Sequence, residues 1–135
     1  MKLSEAILLG SVGTEQAYGC SAIMPNGKAT CALGAALFAI GESLAEWRDG
    51  TPKVTARWPW ADKMVPIPSA IKRHCEIDRI YVNTAVYDVI WRLNDYVRWT
   101  RPQIAAWVAD LEQTYDPDPV PVAVLEPVHE SVPVQ

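Results

Sequence analysis

Residues 91–112, WRLNDYVRWTRPQIAAWVADLE, decide the fold. Two apolar series run through and beside this stretch at helical spacing. Val86, Val89, Ile90, Leu93 and Val97 fall at i, i+3, i+4, i+7 and i+11, and Ile104, Trp107, Val108 and Leu111 repeat the rhythm. Each series therefore lines one face of a helix. Asn83 is expected to cap the first helix. Thr100 and Gln103 have the spacing of a capping box for the second, with Pro102 in its first turn. Two amphipathic helices joined by about four residues make a compact pair.

Upstream, Ser4 is placed to cap a short helix whose Ile7, Leu8 and Leu9 precede Gly10 and Gly13. The group Pro25, Asn26 and Gly27 marks an irregular or hairpin-like turn. Thr30 is expected to cap CALGAALFAIG, in which Leu33, Ala36, Leu37 and Ile40 recur at helical spacing and Gly41 supplies the stop. That helix is thin and apolar, so it belongs at the centre of a bundle with close neighbours. KVTARW, residues 53–58, alternates polar and apolar between Pro52 and Pro59, an edge-strand pattern. IDRIYV, residues 77–82, reads as a second strand, with a helix start fitting its periodicity nearly as well, which leaves open whether residues 53–82 form a two-stranded sheet.

Composition and length set the class. A chain of 135 residues, half hydrophobic and 21% charged, builds one globular core without metal or disulfide staples. Residues 1–114 read as that single domain. From Tyr115 the character changes: DPDPVPVAVLEPVHESVPVQ contains five prolines and predicts an extended arm over 115–135. The arm carries Asp116, Asp118, Glu126 and Glu130 with no Lys or Arg, so it accounts for the whole net charge of −4. Cys20, Cys31 and Cys75 have no framework spacing, which points to reduced thiols in the cytoplasm. The apolar stretch Ala6 to Leu9 is too short, and too interrupted by Glu5 and Glu15, for an export signal ending at Cys20. No run approaches the roughly 20 apolar residues of a membrane span.

The chemistry-bearing residues are sparse. His74 and His129 are the two histidines, and GxSxG, HExxH, CxxC and phosphate-binding glycine loops are all missing from the sequence. No catalytic residue, metal or cofactor is expected. The paired helices resemble a helix-turn-helix in outline, yet residues 101–114 set Arg101 against Asp110 and Glu112 and contain no Lys, a poor match to a phosphate backbone. Six tryptophans are many for this length. Most belong to the core, but Trp58 and Trp60 share one side of an extended RWPW, and with Arg98 and Trp99 they are the expected contact surface for a protein partner. Residues 53–101 also hold a local basic excess, and Arg57, Lys72, Arg73, Arg79 and Arg98 are the groups that would meet phosphates if the partner were nucleic acid.

Three blocks together, LSEAILLGS, CALGAALFAIG and LNDYVRWTRPQIAAWVADLE, resemble a group of small uncharacterised bacterial and bacteriophage proteins. The group has an LSEAI helix, a CALGA helix, a WPW segment and a late LND-to-WT pair. The likeness covers residues 3–112 in scattered blocks and leaves the tail outside. It implies no activity. Many members carry a CPxC pair after the WPW segment and two histidines flanking LND, an arrangement resembling a zinc site. Here those flanking positions correspond to Arg92 and Val97, and no CxxC precedes them, so the resemblance implies no metal in this chain.

The expectation is an α+β, mostly helical domain: a small bundle of about four helices, a short two-stranded sheet left open, and an extended Pro-rich tail. Its expected function is non-enzymatic binding of a protein partner in the cytoplasm, in a phage or mobile-element setting. The alternatives are nucleic-acid binding through residues 53–101 and inhibition of a host defence protein by an acidic tail.

Overall fold

The computed structural model describes residues 1–18, 29–42, 50–74 and 83–118. In chain order the elements are α1 (Leu3–Gly13), β1 (Glu15–Gln16), β2 (Ala29–Thr30), α2 (Ala32–Ala39) and α3 (Gly50–Arg57). A 3-10 turn (Pro59–Asp62), β3 (Met64–Pro66), α4 (Ser69–His74) and β4 (Asn83–Ala85) follow. α5 (Val86–Arg92) runs directly into a turn of π-helix (Leu93–Val97), and α6 (Arg101–Tyr115) closes the bundle. The fold is mostly helical. Among the described residues, four helices of eight residues or more are joined by two shorter ones, with β1 pairing β2 in parallel and β3 pairing β4 antiparallel.

α2 lies at the centre, as its thinness predicts. Every residue from Ala32 to Leu37 is buried, and the helix packs against α1, α3 and α5. The approach of α1 is closest at Gly10, where a Cβ would stand 1.7 Å from the Ala35 carbonyl oxygen. Gly41 ends α2 with φ +77°: its N–H donates to the Phe38 carbonyl at 3.1 Å and the Glu42 N–H to Leu37 at 3.1 Å. Both bonds satisfy last-turn carbonyls, and the left-handed residue between them favours glycine. Nothing stands within 4 Å of a Cβ at Gly41. Gly41→Ala is therefore expected to lower stability by only about 1 kcal/mol, from backbone strain alone, readable as a small shift in a urea midpoint with an unchanged slope.

Four local expectations are corrected. Residues 53–57 are helical, in α3, and Trp58 directly follows: Val54 and Trp58 are buried while Ala56 is exposed, an i, i+4 pattern, and the Trp58 N–H donates to the Val54 carbonyl at 2.7 Å. Pro52 falls in the first turn of α3, where its missing N–H costs no helical bond. Asn83 does not cap α5. It pairs with Pro66 in the β3–β4 ribbon, which continues until the Val86 N–H donates to the Lys63 carbonyl, so the cap is Ala85 and the helix begins two residues later than expected, at Val86. Ser4 lies inside the first turn of α1 rather than before it. Thr30 belongs to β2, and Cys31 caps α2, its Sγ accepting from the Gly34 N–H at 3.4 Å.

The ribbon itself comes from Met64–Pro66 and Asn83–Ala85, not from KVTARW. IDRIYV, the Pro25–Gly27 turn, Cys20, Cys75 and tail residues 119–135 lie outside the described residues. The capping box of α6 is present as read, with the Gln103 N–H donating to Thr100 Oγ1 and the Thr100 N–H to Gln103 Oε1. The core series holds as well: Val86, Val89, Ile90, Leu93, Ile104 and Val108 are buried, with Val97, Trp107 and Leu111 packed against them.

α6 holds α1 by both ends. The buried Arg101 guanidinium donates from Nη2 to the carbonyls of Ser11 (3.2 Å) and Thr14 (2.6 Å). From Nη1 it donates to Thr14 Oγ1 (2.7 Å), Thr30 Oγ1 (2.9 Å) and the Glu15 carbonyl (3.2 Å). These acceptors include orphan carbonyls at the C-terminus of α1, where the helix dipole favours a cation. Burial pulls the Arg101 pKa below the ordinary guanidinium range, although Cys31 and Tyr18 oppose the shift. At the other end the buried Glu112 carboxylate accepts from the Ser4 N–H at 2.9 Å and from its hydroxyl, an anion at a helix N-terminus. Arg101 and Glu112 stand about 16 Å apart along α6 at 1.5 Å per residue, nearly the length separating Ser4 from Thr14 on the antiparallel α1.

Candidate partner-binding site

Among the described residues, the π-turn after α5 carries the most unusual backbone. Leu93 accepts hydrogen bonds from the N–H groups of both Arg98 and Trp99, and Arg98 is left-handed at φ 61°, ψ 41°. Among the described residues it is the one non-glycine with positive φ. Such a conformation costs on the order of 1–2 kcal/mol for an L-residue with a side chain. Neighbouring contacts hold it. The buried Asn94 donates to the Ala17 carbonyl and to Asp95 Oδ1 (both 2.8 Å) and accepts from Gln16 Nε2 (2.8 Å), which also donates to the Trp99 carbonyl (2.7 Å). β1 is thereby laced to the π-turn.

On the solvent side of this turn, arginines lie over aromatic rings. The Arg92 guanidinium sits 4.8 Å from the Trp91 ring centroid and 5.9 Å from that of Tyr96, and the two rings meet edge to face at 5.3 Å. Asp88 fixes Arg92 through a 3.0 Å bond to Nε and is itself held by Thr84 Oγ1 at 2.8 Å. Arg98 covers the Tyr18 ring at 4.6 Å. Tyr96 is 44% exposed and Tyr18 40%. Together the two contacts form a ledge of Trp, Tyr and Arg, the side chains that most often dominate protein interfaces, in which Tyr18, Tyr96 and Arg98 are exposed and Trp91 and Arg92 are half-buried.

The four residues expected from sequence to form one contact surface do not do so. Trp58 and Trp60 are 3% and 7% exposed. Trp58 Nε1 donates to the Met1 carbonyl at 3.0 Å, and Trp60 stacks on Tyr115 at 6.1 Å between ring centroids. That places both beside the C-terminal end of α6, whereas Arg98 and Trp99 precede its N-terminal end, about 22 Å away by helix rise. RWPW is not extended, and the two indoles do not share an exposed side. In the structure the chain passes from α3 into a 3-10 turn and rotates both indoles inward. Arg57 remains exposed with its guanidinium 5.6 Å from the Trp58 centroid, and with both indoles it lines a cleft of about 470 Å³ together with Met1, Lys2 and Asp118.

The basic residues divide similarly. α4 packs against the π-turn, so exposed Lys72 lies on an element next to Arg98. Arg73 belongs to the same helix, Arg57 is at the far end of the molecule, and Arg79 lies outside the described residues. At the positions flanking LND, Arg92 is paired with Asp88 and Val97 packs on the core. Among the described residues no three of His, Cys, Asp and Glu come together as metal ligands, and no helix is long and apolar enough to cross a membrane.

The sequence reading missed Trp91, Arg92, Tyr96 and Tyr18. The signal was present in the i, i+4 pair Asp88–Arg92 and in aromatics off the apolar face of α5, although nothing local announces the π-turn that turns Tyr96 outward. No family model, curated protein or solved structure matches this chain.

Proposed function

We propose that this chain is a non-enzymatic binding protein that captures a protein partner on the ledge of Tyr18, Trp91, Arg92, Tyr96 and Arg98. The observation that carries this reading is the pair of arginine–aromatic contacts at the two ends of the π-turn, Arg92 over Trp91 and Arg98 over Tyr18. Pre-ordered side chains lose little entropy on binding, which is what separates an interface anchor from an ordinary surface arginine. Strain kept at a non-glycine αL position supports the same reading, because such strain concentrates where a side chain must be aimed.

Capture from a bacterial lysate by the immobilised full chain tests it, with nuclease treatment and a salt series. Tyr96→Ala combined with Arg98→Gly is expected to reduce capture at least tenfold, the scale of an interface hot spot. The fold should survive, since glycine suits the αL position. Undiminished capture by this variant would reject the ledge. The second reading, nucleic-acid binding, is favoured by one observation, the packing of α4, which carries exposed Lys72, against the π-turn that ends at Arg98. It expects binding that nuclease abolishes and that falls steeply as salt rises.

A further inference from the structure

The exposed face of α1 is apolar where its neighbours on the sequence give no reason for it. Leu8 is 46% exposed and Val12 86%. Beside them, α1 and α6 enclose a groove of about 520 Å³ whose walls include Ser4 and Glu5 on one side and Ala109 and Gln113 on the other. Leu8 follows Ser4 and Val12 follows Leu8 at four-residue spacing, so both continue the α1 wall. Exposed Ala106 precedes Ala109 by three and continues the α6 wall. The groove itself is mostly polar, with Lys2, Glu5, Glu112 and Gln113 in its lining, and Leu8 and Val12 extend its α1 wall as an exposed apolar strip; groove and strip together make a shallow trough.

Its entrance is occupied by the chain itself. Pro117 and Asp118 line the groove, and Lys2 pins the chain there by donating from Nζ to the Asp116 carbonyl (2.5 Å) and by pairing with Asp118 Oδ1 at 3.2 Å. The next seventeen residues, 119–135, begin PVPVAV. In an extended chain Val120, Val122 and Val124 point to one side and Pro119, Pro121 and Ala123 to the other. That valine stripe is about 13 Å long at 3.3 Å per residue, comparable with the roughly 12 Å from Ser4 to Val12 along α1. Starting at Asp118, six extended residues reach about 20 Å, enough to set Val124 against Val12. Prolines hold such a segment extended and lower the entropy lost on docking.

We propose that residues 119–135 dock in the α1–α6 trough of the same molecule, with Val120, Val122 and Val124 covering Leu8 and Val12. This is independent of the ledge, because Leu8, Val12 and the groove residues are not among the side chains that form it. The test uses the full chain with 13C-labelled Leu and Val methyls. Nuclear Overhauser cross-peaks are expected between the Leu8 or Val12 methyls and those of Val120, Val122 or Val124. They should persist when labelled molecules are diluted into unlabelled ones. In Leu8→Asp, at a half-exposed position, the remaining cross-peaks from Val12 should drop at least several-fold while core cross-peaks stay. Tail methyls without cross-peaks to α1 would overturn the proposal. Cross-peaks found only between differently labelled copies would also overturn it and give the trough to a second molecule.

Discussion

Gly10→Ala is expected to be the most damaging single-methyl change in the described structure. The new Cβ would stand 1.7 Å from the Ala35 carbonyl oxygen, 2.4 Å from its carbon and 2.9 Å from its Cα. All three are backbone atoms of the central helix, so no side chain can swing aside. α1 and α2 must separate, and the buried Ala6, Ile7, Leu33 and Leu37 then lose contact together. Overpacking of this kind costs about 3 kcal/mol or more, or roughly 10 °C in Tm for a domain of this size. Alanine is intrinsically the better helix former by about 1 kcal/mol, and that gain is too small to compensate. Gly13→Ala is the internal control: its Cβ meets only the Phe38 ring edge at 3.2 Å, and that ring is exposed and free to rotate away. A Gly10→Ala protein as stable as Gly13→Ala would show that the helix pair is not as close as described.

Arg101→Met is the second large effect. Methionine fills much of the volume but offers no donors to the carbonyls of Ser11, Thr14 and Glu15. The two threonine hydroxyls can fall back on each other and on the Gly10 carbonyl, since Thr14 Oγ1 already stands 3.2 Å from Thr30 Oγ1 and donates to Gly10 at 2.7 Å. The carbonyls have no such substitute. Leaving a buried acceptor unpaired costs about 1–3 kcal/mol, and these three are part-buried and can be reached by water, so a loss of about 2–3 kcal/mol in all is expected. Arg101→Lys should recover only part, because one ammonium cannot bridge acceptors spread across both arms of a guanidinium. Urea denaturation of the two variants checks this, and Arg101→Met within about 0.5 kcal/mol of the parent would remove the clamp from the account.

Much of the bundle was legible because its signals are periodic. The series from Val86 and from Ile104, the Thr100–Gln103 box and the small residues of CALGAALFAIG each repeat often enough to fix a helix and its buried face. Short segments were not legible for the same reason. KVTARW offers three apolar positions, one of them alanine, and fits either period until Trp58 is seen to share a side with Val54. Asn83 is a good cap in isolation, and only pairing with Pro66, seventeen residues earlier, turns it into a strand.

The candidate site was half legible. Arg98 was identified, but its αL geometry and its stack on Tyr18 depend on contacts eighty residues apart. Trp58 and Trp60 were assigned to a surface because composition alone does not tell a core indole from a contact one. The clamp of Arg101 and Glu112 was hidden for a related reason: charges on a helix ordinarily face water, and nothing in sequence says that these two meet the ends of another helix.

The most direct test of the account compares Trp60→Ala with Tyr96→Ala, measuring Tm and partner capture per folded molecule on the same samples. Trp60 is expected to behave as packing, losing about 3 kcal/mol of stability with capture unchanged. Tyr96 is expected to behave as an anchor, with stability within about 0.5 kcal/mol of the parent and capture down at least tenfold. Capture lost with Trp60 and kept with Tyr96 would contradict the account and return the binding surface to the cleft beside Trp58.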